Sequence, residues 1–255
     1  MLTYYDISGN VTAFSTTRHG GYGKGAYGGM NINRFCGDDK NAICKNLELL
    51  SKELNVAKER IIMPHQTHET KLALISKEFL LSSETEKATS LECIDALMTQ
   101  EREVCIGVST ADCIPIIIYD PEHHAAATVH AGWRGTVKRI AEKAVEEMKQ
   151  AFGSRPELLK AVIGPGISVE AFEVGDEVYD EFASSGFNMR EISRRKDKWH
   201  IDLPKCNRLQ LTGSGLTGNN ITETKICTFN NFEDYFSARR LGAKSGRIFT
   251  GIILH

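Results

Sequence analysis

Long apolar runs, paired cysteines and an excess of charge of one sign are all missing from this 255-residue chain. No stretch approaches the roughly 20 apolar residues that a membrane helix needs. The first residues lack the basic start and apolar run of a signal peptide. A formal net charge of −2 gives no electrostatic reason to expect binding to nucleic acid or to an acidic membrane face. We therefore expect a globular protein without nucleic-acid or membrane partners.

The cysteines argue against a disulfide framework. There are seven of them, an odd number, and none forms a CxxC pair, which also argues against a four-cysteine zinc knuckle. Cys105 and Cys227 lie in apolar runs and are expected to be buried free thiols. This pattern is typical of a reducing compartment and predicts a cytoplasmic protein.

No internal repeat, low-complexity block or linker divides the chain, so we expect one domain spanning residues 1–255. Predicted strands and helices alternate without a strict βαβ rhythm, which indicates an α+β fold with mixed sheets. The strands are expected at 11–15, 61–63, 104–108, 114–119, 125–129, 159–163, 225–229 and 248–254. The helices are expected at 38–55, 136–152, 169–184 and 204–211, with a polar surface loop at 82–92.

Three potential metal ligands, His68, Cys113 and His130, come at or just past the ends of predicted buried strands. Polar side chains at such ends face a cleft rather than a packed core. Two imidazoles and a thiolate suit zinc, and three protein ligands with one open position are typical of a catalytic zinc site. Their long spacing matches no local zinc motif. From spacing alone, a buried thiol and two hydrogen-bonded histidines are the favoured interpretation.

Two neighbours of these residues could assist them. Asp112 precedes Cys113 and could orient a ligating histidine or accept a proton, or it could cap the strand end. His65 and His68 form an HxxH pair, but at a strand end they would point in different directions, so one of them is expected to bind metal. His123 and His124 are expected to be solvated in a turn.

Basic and glycine-rich segments suggest anion contacts. Arg134, at a strand-to-helix junction, could hold phosphate together with backbone amides, or could simply stack on Trp133. The glycine-rich loop at 19–31 contains a formal GxGxxG, but no apolar helix follows it, which excludes a dinucleotide fingerprint. We expect either a mobile loop that closes over a substrate, with Arg18 at its root as an anion contact, or a flexible surface loop.

At these residues the chain resembles the YfiH-like laccase-domain family, whose members carry names such as polyphenol oxidase, purine nucleoside phosphorylase and peptidoglycan editing factor. The resemblance is carried by Gln66-Thr67-His68, by the segment 110–115 (TADCIP) and by the segment 129–136 (VHAGWRGT). Further matches lie at 14–21, 163–167, 226–228, 236–240 and 246–247.

The resemblance implies a layered α+β sandwich and a zinc ion bound by His68, Cys113 and His130. It implies phosphorolysis of purine nucleosides (adenosine, inosine, guanosine, methylthioadenosine) to the base and ribose 1-phosphate, with some deamination of adenosine. We expect a monomer or weak homodimer. Asp112, Cys113 and His130 are then the catalytic candidates. The candidates for holding phosphate are Arg18, Arg134, Arg239 and Arg240.

This sequence departs from the family at Glu69, where glycine is usual, and in the glycine-rich loop at Tyr22-Gly23 and Gly29-Met30-Asn31. These departures put the substrate preference in doubt rather than the metal site.

Three other functions remain open. Cys113 could act as the nucleophile of an amide hydrolase, for example on a peptidoglycan precursor, with His130 as base and Asp112 as orienting group. A copper-dependent polyphenol oxidase is disfavoured, because a multicopper site needs on the order of ten histidines and the chain has eight, none in an HxH pair. A metal-stabilised binding module would unfold on loss of Cys113.

Overall fold

Two β-sheets stacked face to face form the centre of the protein in the computed structural model, which describes all 255 residues. The strands are β1 (Leu2–Tyr5), β2 (Val11–Thr16), β3 (Ile61–Ile62), β4 (Leu72–Ile75), β5 (Ala96–Thr99), β6 (Cys105–Thr110), β7 (Ile114–Asp120), β8 (Ala125–Ala131), β9 (Lys160–Ile163), β10 (Glu173–Val174), β11 (Ser193–Arg195), β12 (Trp199–Ile201), β13 (Ile221–Glu223) and β14 (Ile248–Leu254). The helices are α1 (Lys40–Leu54), α2 (Lys77–Leu81), α3 (Glu84–Ser90), α4 (Trp133–Val137), α5 (Ile140–Phe152), α6 (Asp176–Ser184), α7 (Met189–Ile192), α8 (Leu203–Gly213) and α9 (Ala238–Leu241).

Both large sheets are mixed, as the sequence predicts. One has five strands in the order β1-β2-β14-β6-β3, and the other has six in the order β13-β9-β7-β8-β5-β4. Strand β3 runs parallel to β6, β4 to β5 and β13 to β9, while the remaining pairs are antiparallel. A small three-stranded sheet, β10-β12-β11, is not hydrogen-bonded to them, but its residues Val174 and Ile201 pack in the core of the six-stranded sheet. The α+β class with mixed sheets is therefore confirmed.

Strands β6, β7, β8 and β14 are buried at every residue because both of their faces are covered. Alternate residues of β7 point to opposite faces: Ile117 packs in the core between the sheets, and Ile116 packs in the core on the helix side. Helix α5 covers that outer face, and α1 covers the outer face of the five-stranded sheet through Leu50 and Leu54. The layers are helix, sheet, sheet, helix, and the strands that form them come from both halves of the chain.

The predicted helix over 136–152 was wrong at its start. The structure has two helices there, α4 and α5, separated by Arg139 in the left-handed conformation (φ 63°). Tertiary contacts hold Arg139 in place: its guanidinium donates to Ser185 O at 2.9 Å and lies 3.7 Å from the ring centroid of Phe187. Val137 and Ile140 are both buried at a spacing of three, so the apolar pattern continues through the break and conceals it.

Three other predicted elements needed correction. The polar segment 82–92 is exposed as expected except at Leu91, but it contains helix α3, which begins with a capping box formed by Ser83 and Glu86. Only the second half of 169–184 is helical (α6), because strand β10 precedes it. The strand expected at 225–229 is absent: Lys225 has φ 56°, only Cys227 makes a bridge, and the strand is β13, a few residues earlier. No helix combines the length and apolarity needed to cross a bilayer.

Candidate metal centre

The fold brings His68, Cys113 and His130 together at one end of the sheet sandwich. Cys113 lies in the turn from β6 to β7, which passes from one sheet to the other, and His130 lies near the end of β8. The pairing of Pro115 with His130 in the β7–β8 ladder places the Cys113 turn beside that histidine. His68 follows β3 in a loop and has a left-handed φ of 65°.

The donor atoms of these three residues all lie within 4.8 Å of one another. Two nitrogen or sulfur donors of one tetrahedral zinc ion lie roughly 3.3–3.6 Å apart, from typical bond lengths. Small side-chain rotations therefore bring the three donors onto one ion. They form the one such group of His, Cys, Asp or Glu residues in the structure, so the cluster could bind a metal.

Gly132 makes this convergence possible. A Cβ atom at this position would lie 3.0 Å from both Cys113 Sγ and His68 Cδ2, and 3.7 Å from His130 Nε2. Any side chain here would therefore crowd the three donors or occupy the space between them. The absence of a side chain at residue 132 leaves space between the three donors, which fits a bound ion.

Asp95 is the most important site residue that the sequence analysis missed. It is fully buried immediately before β5, and its Oδ1 accepts hydrogen bonds from His130 Nδ1 at 2.7 Å and from the His68 amide at 3.0 Å. Its Oδ2 accepts from the amides of Glu69 at 2.8 Å and Thr67 at 3.2 Å. One carboxylate thus fixes two of the three potential ligands and leaves Nε2 of His130 free for the cluster.

Charges in this cluster are strongly coupled. Burial opposes the charged form of Asp95. The pKa of Asp95 is nevertheless lowered, because the hydrogen bond from His130, the positive charge of His130 and the amide donors outweigh burial. Burial likewise opposes a thiolate at Cys113, but His130 and His68 lower its pKa to about 6. Burial lowers the pKa of His130, but Cys113 and Asp95 outweigh this effect and raise it to about 9. Without metal, Cys113 and His130 therefore form a thiolate–imidazolium pair near neutral pH.

Asp112 does not contact a ligating histidine, which was one of the roles expected for it. Its Oδ1 accepts from the Thr228 hydroxyl at 2.7 Å and its Oδ2 accepts from the Arg239 amide at 2.7 Å, and it has φ 87°. The carboxylate thus ties the Cys113 turn to the segments around residues 228 and 239. The contact with a ligating histidine belongs to Asp95 instead, while a proton-accepting role for Asp112 stays a prediction.

A cavity of about 360 Å³ opens in front of the cluster. It is lined by Asn33, Phe35, Cys36, His65, Gln66, His68, Ser109, Thr110, Ala111, Cys113, His130, Ala238, Ala243 and Arg247. Arg247 is its one permanent cation, and no carboxylate lines it. The Arg247 guanidinium donates to the carbonyls of Ser245 at 2.7 Å and Ala243 at 3.0 Å, and it has no acidic partner. The cavity therefore carries positive charge and suits an anion.

None of the four arginines expected to hold phosphate lines this cavity. Arg18 donates to the carbonyls of Gly28 and Phe232 and lies over Phe236. The Arg134 Cζ atom lies 4.3 Å from the ring centroid of Trp133. Stacking on Trp133 was the alternative to phosphate binding expected for this residue.

The Arg239-Arg240 pair also lies outside the cavity. Both terminal nitrogens of Arg239 donate to Glu173 O at 3.1 Å, and Arg240 lies over two phenylalanine rings. The cavity arginine is Arg247 instead. Its signal in the sequence was the short match at 246–247.

The glycine-rich loop is closely packed against its surroundings. A Cβ atom at Gly29 would lie 1.7 Å from Arg18 O, so only glycine fits there. Tyr27 Oη donates to Cys36 O at 2.8 Å, and the Gly246 amide donates to Ala26 O at 3.1 Å. The loop thus contacts one cavity wall next to Phe35 and another next to Arg247. It does not lie over the cavity as a free lid.

The remaining histidines lie outside the cluster. His65 lines the cavity, but its Nδ1 pairs with Glu92 Oε1 at 2.5 Å and its ring stacks on Phe35. His123 and His124 lie in a turn as expected, where His123 Nδ1 pairs with Asp120 at 2.9 Å. All seven cysteines are free.

Known proteins are similar to this chain in sequence and in fold over nearly its whole length. Residues 12–255 match the family model described as multi-copper polyphenol oxidoreductase laccase. The chain belongs to this family. It is 42% identical over 260 residues to a purine nucleoside phosphorylase of Bacteroides thetaiotaomicron, covering 100% of this chain and 96% of the relative. It is 42% identical over 245 residues to adenosine deaminase RL5 of an unknown prokaryotic organism, covering 95% and 93%.

Two solved structures agree with the fold. Protein YfiH of Bacillus licheniformis superposes with a TM-score of 0.91 at 26% identity, over 100% of this chain and 96% of that one. YlmD of Geobacillus stearothermophilus gives a TM-score of 0.91 at 28% identity, over 98% and 94%. These matches confirm the resemblance and the layered fold.

The laccase name implies several copper ions, but this chain has a single three-residue cluster. It supplies ligands for one ion at this place, whereas a multicopper centre needs on the order of ten histidines. The family name alone therefore does not indicate oxidase chemistry.

Proposed function

We propose that this protein is a zinc-dependent purine nucleoside phosphorylase, with adenosine deamination as a side activity. Its substrates would be adenosine, inosine, guanosine and methylthioadenosine, which it would convert with phosphate to the base and ribose 1-phosphate. The observation that carries the proposal is the His68, Cys113 and His130 cluster facing a positively charged cavity. The 42% identity to relatives named phosphorylase and deaminase supports the same choice.

Zinc is the metal that the donor set fits best. Two imidazole nitrogens and one thiolate are ligands that zinc prefers, and three protein ligands leave a fourth position open. Bound there, zinc would supply a Lewis-acid charge near the reacting groups. Asp95 supports this assignment, because it presents Nε2 of His130 to the cluster and holds the loop that carries His68.

Phosphorolysis needs phosphate and nucleoside held in line, which is chiefly a positioning problem. Arg247 is suited to hold the phosphate because it is the one cation in the cavity without a carboxylate partner. The Tyr27 and Ala26 contacts tie the glycine-rich loop to the segments that carry Phe35 and Arg247. Arg247 would thus position the phosphate, and the cavity in front of the cluster would receive the nucleoside.

The test incubates zinc-loaded protein with each nucleoside, with and without phosphate, and separates the products by chromatography. We expect the free base and ribose 1-phosphate only with phosphate, and slow inosine formation from adenosine in either case. Cys113→Ser should abolish base release, whereas Cys44→Ser, at an exposed free cysteine, should not change it. Phosphate-independent base release, or none, would contradict the proposal.

A cysteine hydrolase is the second candidate, and the thiolate–imidazolium pair favours it in metal-free protein. Cys113 would attack an amide, with a peptidoglycan precursor as the substrate. Zinc and this nucleophile exclude each other, because both need the thiolate. Chelation separates the two: a hydrolase gains activity when metal is removed and a phosphorylase loses it. A metal-stabilised binding module would instead unfold in Cys113→Ala.

The free cysteines also support a reducing compartment. We propose that the enzyme acts in the cytoplasm on small molecules, as a monomer or weak homodimer.

A further inference from the structure

His65 is the one histidine in the cavity that does not belong to the cluster. Its side chain is 37% exposed, so a ligand in the cavity can reach it. Imidazole is the group that enzymes use most often for proton transfer near neutral pH. His65 is therefore placed where it could exchange a proton with a substrate in the cavity.

The His65 ring is fixed on several sides. Its Nδ1 lies 2.5 Å from Glu92 Oε1, and its ring stacks on Phe35 with centroids 4.2 Å apart and planes 19° apart. Its amide donates to Leu91 O at 2.9 Å and its carbonyl accepts from the Ile94 amide at 3.2 Å. An ionised carboxylate only accepts hydrogen bonds, so Nδ1 carries a hydrogen and Nε2, which has no partner in the protein, is the nitrogen left for a ligand.

Cleavage of a purine nucleoside requires a proton for the departing base. The electron pair of the C1′–N9 bond stays on the purine, which leaves as an anion unless a ring nitrogen is protonated. No carboxylate lines the cavity, and the guanidinium of Arg247 does not release a proton. The cluster residues would be occupied by metal. His65 is the remaining group suited to the task.

We propose that His65 is the general acid for departure of the base, an inference that rests on the proposed phosphorylase function. Its Nε2–H donates a proton to N7 of the purine as the C1′–N9 bond breaks and a phosphate oxygen forms its bond to C1′. Glu92 keeps its hydrogen bond to Nδ1 throughout, so the proton leaves from Nε2. His65 regains its proton from water after product release.

Phe35 completes this unit. It is a large apolar side chain with 41% of its surface exposed, and it lies on the cavity wall. Together with His65 it forms an aromatic wall, and planar rings pack on such walls in offset or edge-on arrangements. The wall would place the purine ring within reach of Nε2.

The test compares inosine with 7-methylguanosine. The methylated purine already carries positive charge and leaves as a neutral base without any proton. His65→Gln should lower kcat for inosine about 100-fold, the low end of general acid catalysis, and should leave kcat for 7-methylguanosine within about threefold. His19→Gln is the matched control, because His19 also pairs with a carboxylate (Asp234, 2.7 Å) but lies outside the cavity. It should change neither rate.

Glu92→Gln provides a second variant at an exposed position, in case His65→Gln fails to fold. It should lower kcat for inosine about tenfold and spare 7-methylguanosine. An equal loss on both substrates in these variants would show that His65 only shapes the cavity, and an unchanged rate on inosine would show that it has no part in the reaction. Either result overturns the inference while leaving the phosphorylase intact. Wild-type enzyme that releases no base would overturn the phosphorylase proposal and this inference together.

Discussion

Asp95 and Asp112 are both buried carboxylates close to the metal ligands, but they hold different parts of the molecule. Asp112 is the chain neighbour of Cys113, yet its oxygens accept from Thr228 and Arg239. Asp95 is distant in sequence from every ligand, yet it contacts His130 and three consecutive amides around His68. The antiparallel pairing of β5 with β8 brings it there. Strand register, rather than nearness in sequence, decides which carboxylate orients the ligands.

The arginines show the same contrast. Arg134 follows His130 closely in sequence but stacks on Trp133 outside the cavity. Arg247 precedes β14, far along the chain, and lines the cavity beside the cluster. Both comparisons can be tested by paired substitutions.

Asp95→Asn should have the largest effect. The single side-chain oxygen of asparagine cannot accept the four hydrogen bonds that Asp95 accepts. Its NH2 group would instead face N–H donors. We expect zinc affinity to fall about 10- to 100-fold, the usual cost of removing a group that orients a ligand. Competition with a chromophoric chelator measures this affinity. Asp112→Asn is the control and should bind zinc as the wild type does. Equal affinities in all three proteins would remove the distinction between the two carboxylates.

Arg247→Gln should have the next largest effect. If Arg247 holds phosphate, removing its charge should raise the KM for phosphate about tenfold, a charged hydrogen bond being worth roughly 1.5–3 kcal/mol. Initial rates at saturating inosine and varied phosphate give this value. Arg134→Gln should leave it unchanged. A larger effect at Arg134 than at Arg247 would favour the arginine that the sequence suggested.

The pH dependence of thiol alkylation sharpens the comparison further. In metal-free protein Cys113 reacts as the thiolate, so its rate should fall as the pH drops through about 6 and should be level above that value. Asp95 raises the pKa of His130, and the imidazolium lowers that of Cys113. Asp95→Asn should therefore move the midpoint upward, and Asp112→Asn should not. Mass spectrometry after brief iodoacetamide pulses identifies the modified cysteine, and identical midpoints in both variants would contradict the coupling.

Asp112→Asn should have the smallest effect. It keeps one acceptor oxygen and loses one of two hydrogen bonds, so unfolding should become easier by about 1 kcal/mol. Denaturant titration measures this change, and zinc content should stay at the wild-type level. Loss of zinc here, with a folded protein, would mean that Asp112 also supports the metal centre.

Much of the fold could be predicted from the sequence because the central strands are apolar throughout. The segments that became β6, β7, β8 and β14 are buried on both faces, and continuous runs of branched residues are typical of such strands. The errors came where tertiary contacts decide the backbone. Arg139 adopts a left-handed conformation because Phe187 and Ser185 hold its side chain. Periodicity contains no information about those partners.

The site could be predicted only in part for the same reason. His68, Cys113 and His130 stand in distinctive motifs, and the structure brings them together. Asp95 lies in none of these motifs, because its contacts depend on the pairing of β5 with β8. Arg247 lies only in the short match at 246–247. The four arginines expected to hold phosphate also lie in matched segments, but a motif does not determine whether a side chain reaches the cavity.

X-ray absorption at the zinc edge of the loaded wild-type protein tests the proposed metal centre most directly. We expect one sulfur at about 2.3 Å, two imidazole nitrogens at about 2.0–2.1 Å and one further light atom from solvent or substrate. Cys113→Ser should remove the sulfur from this shell. A shell without sulfur, or one completed by a fourth protein ligand, would contradict a three-residue centre with a position open for reactants.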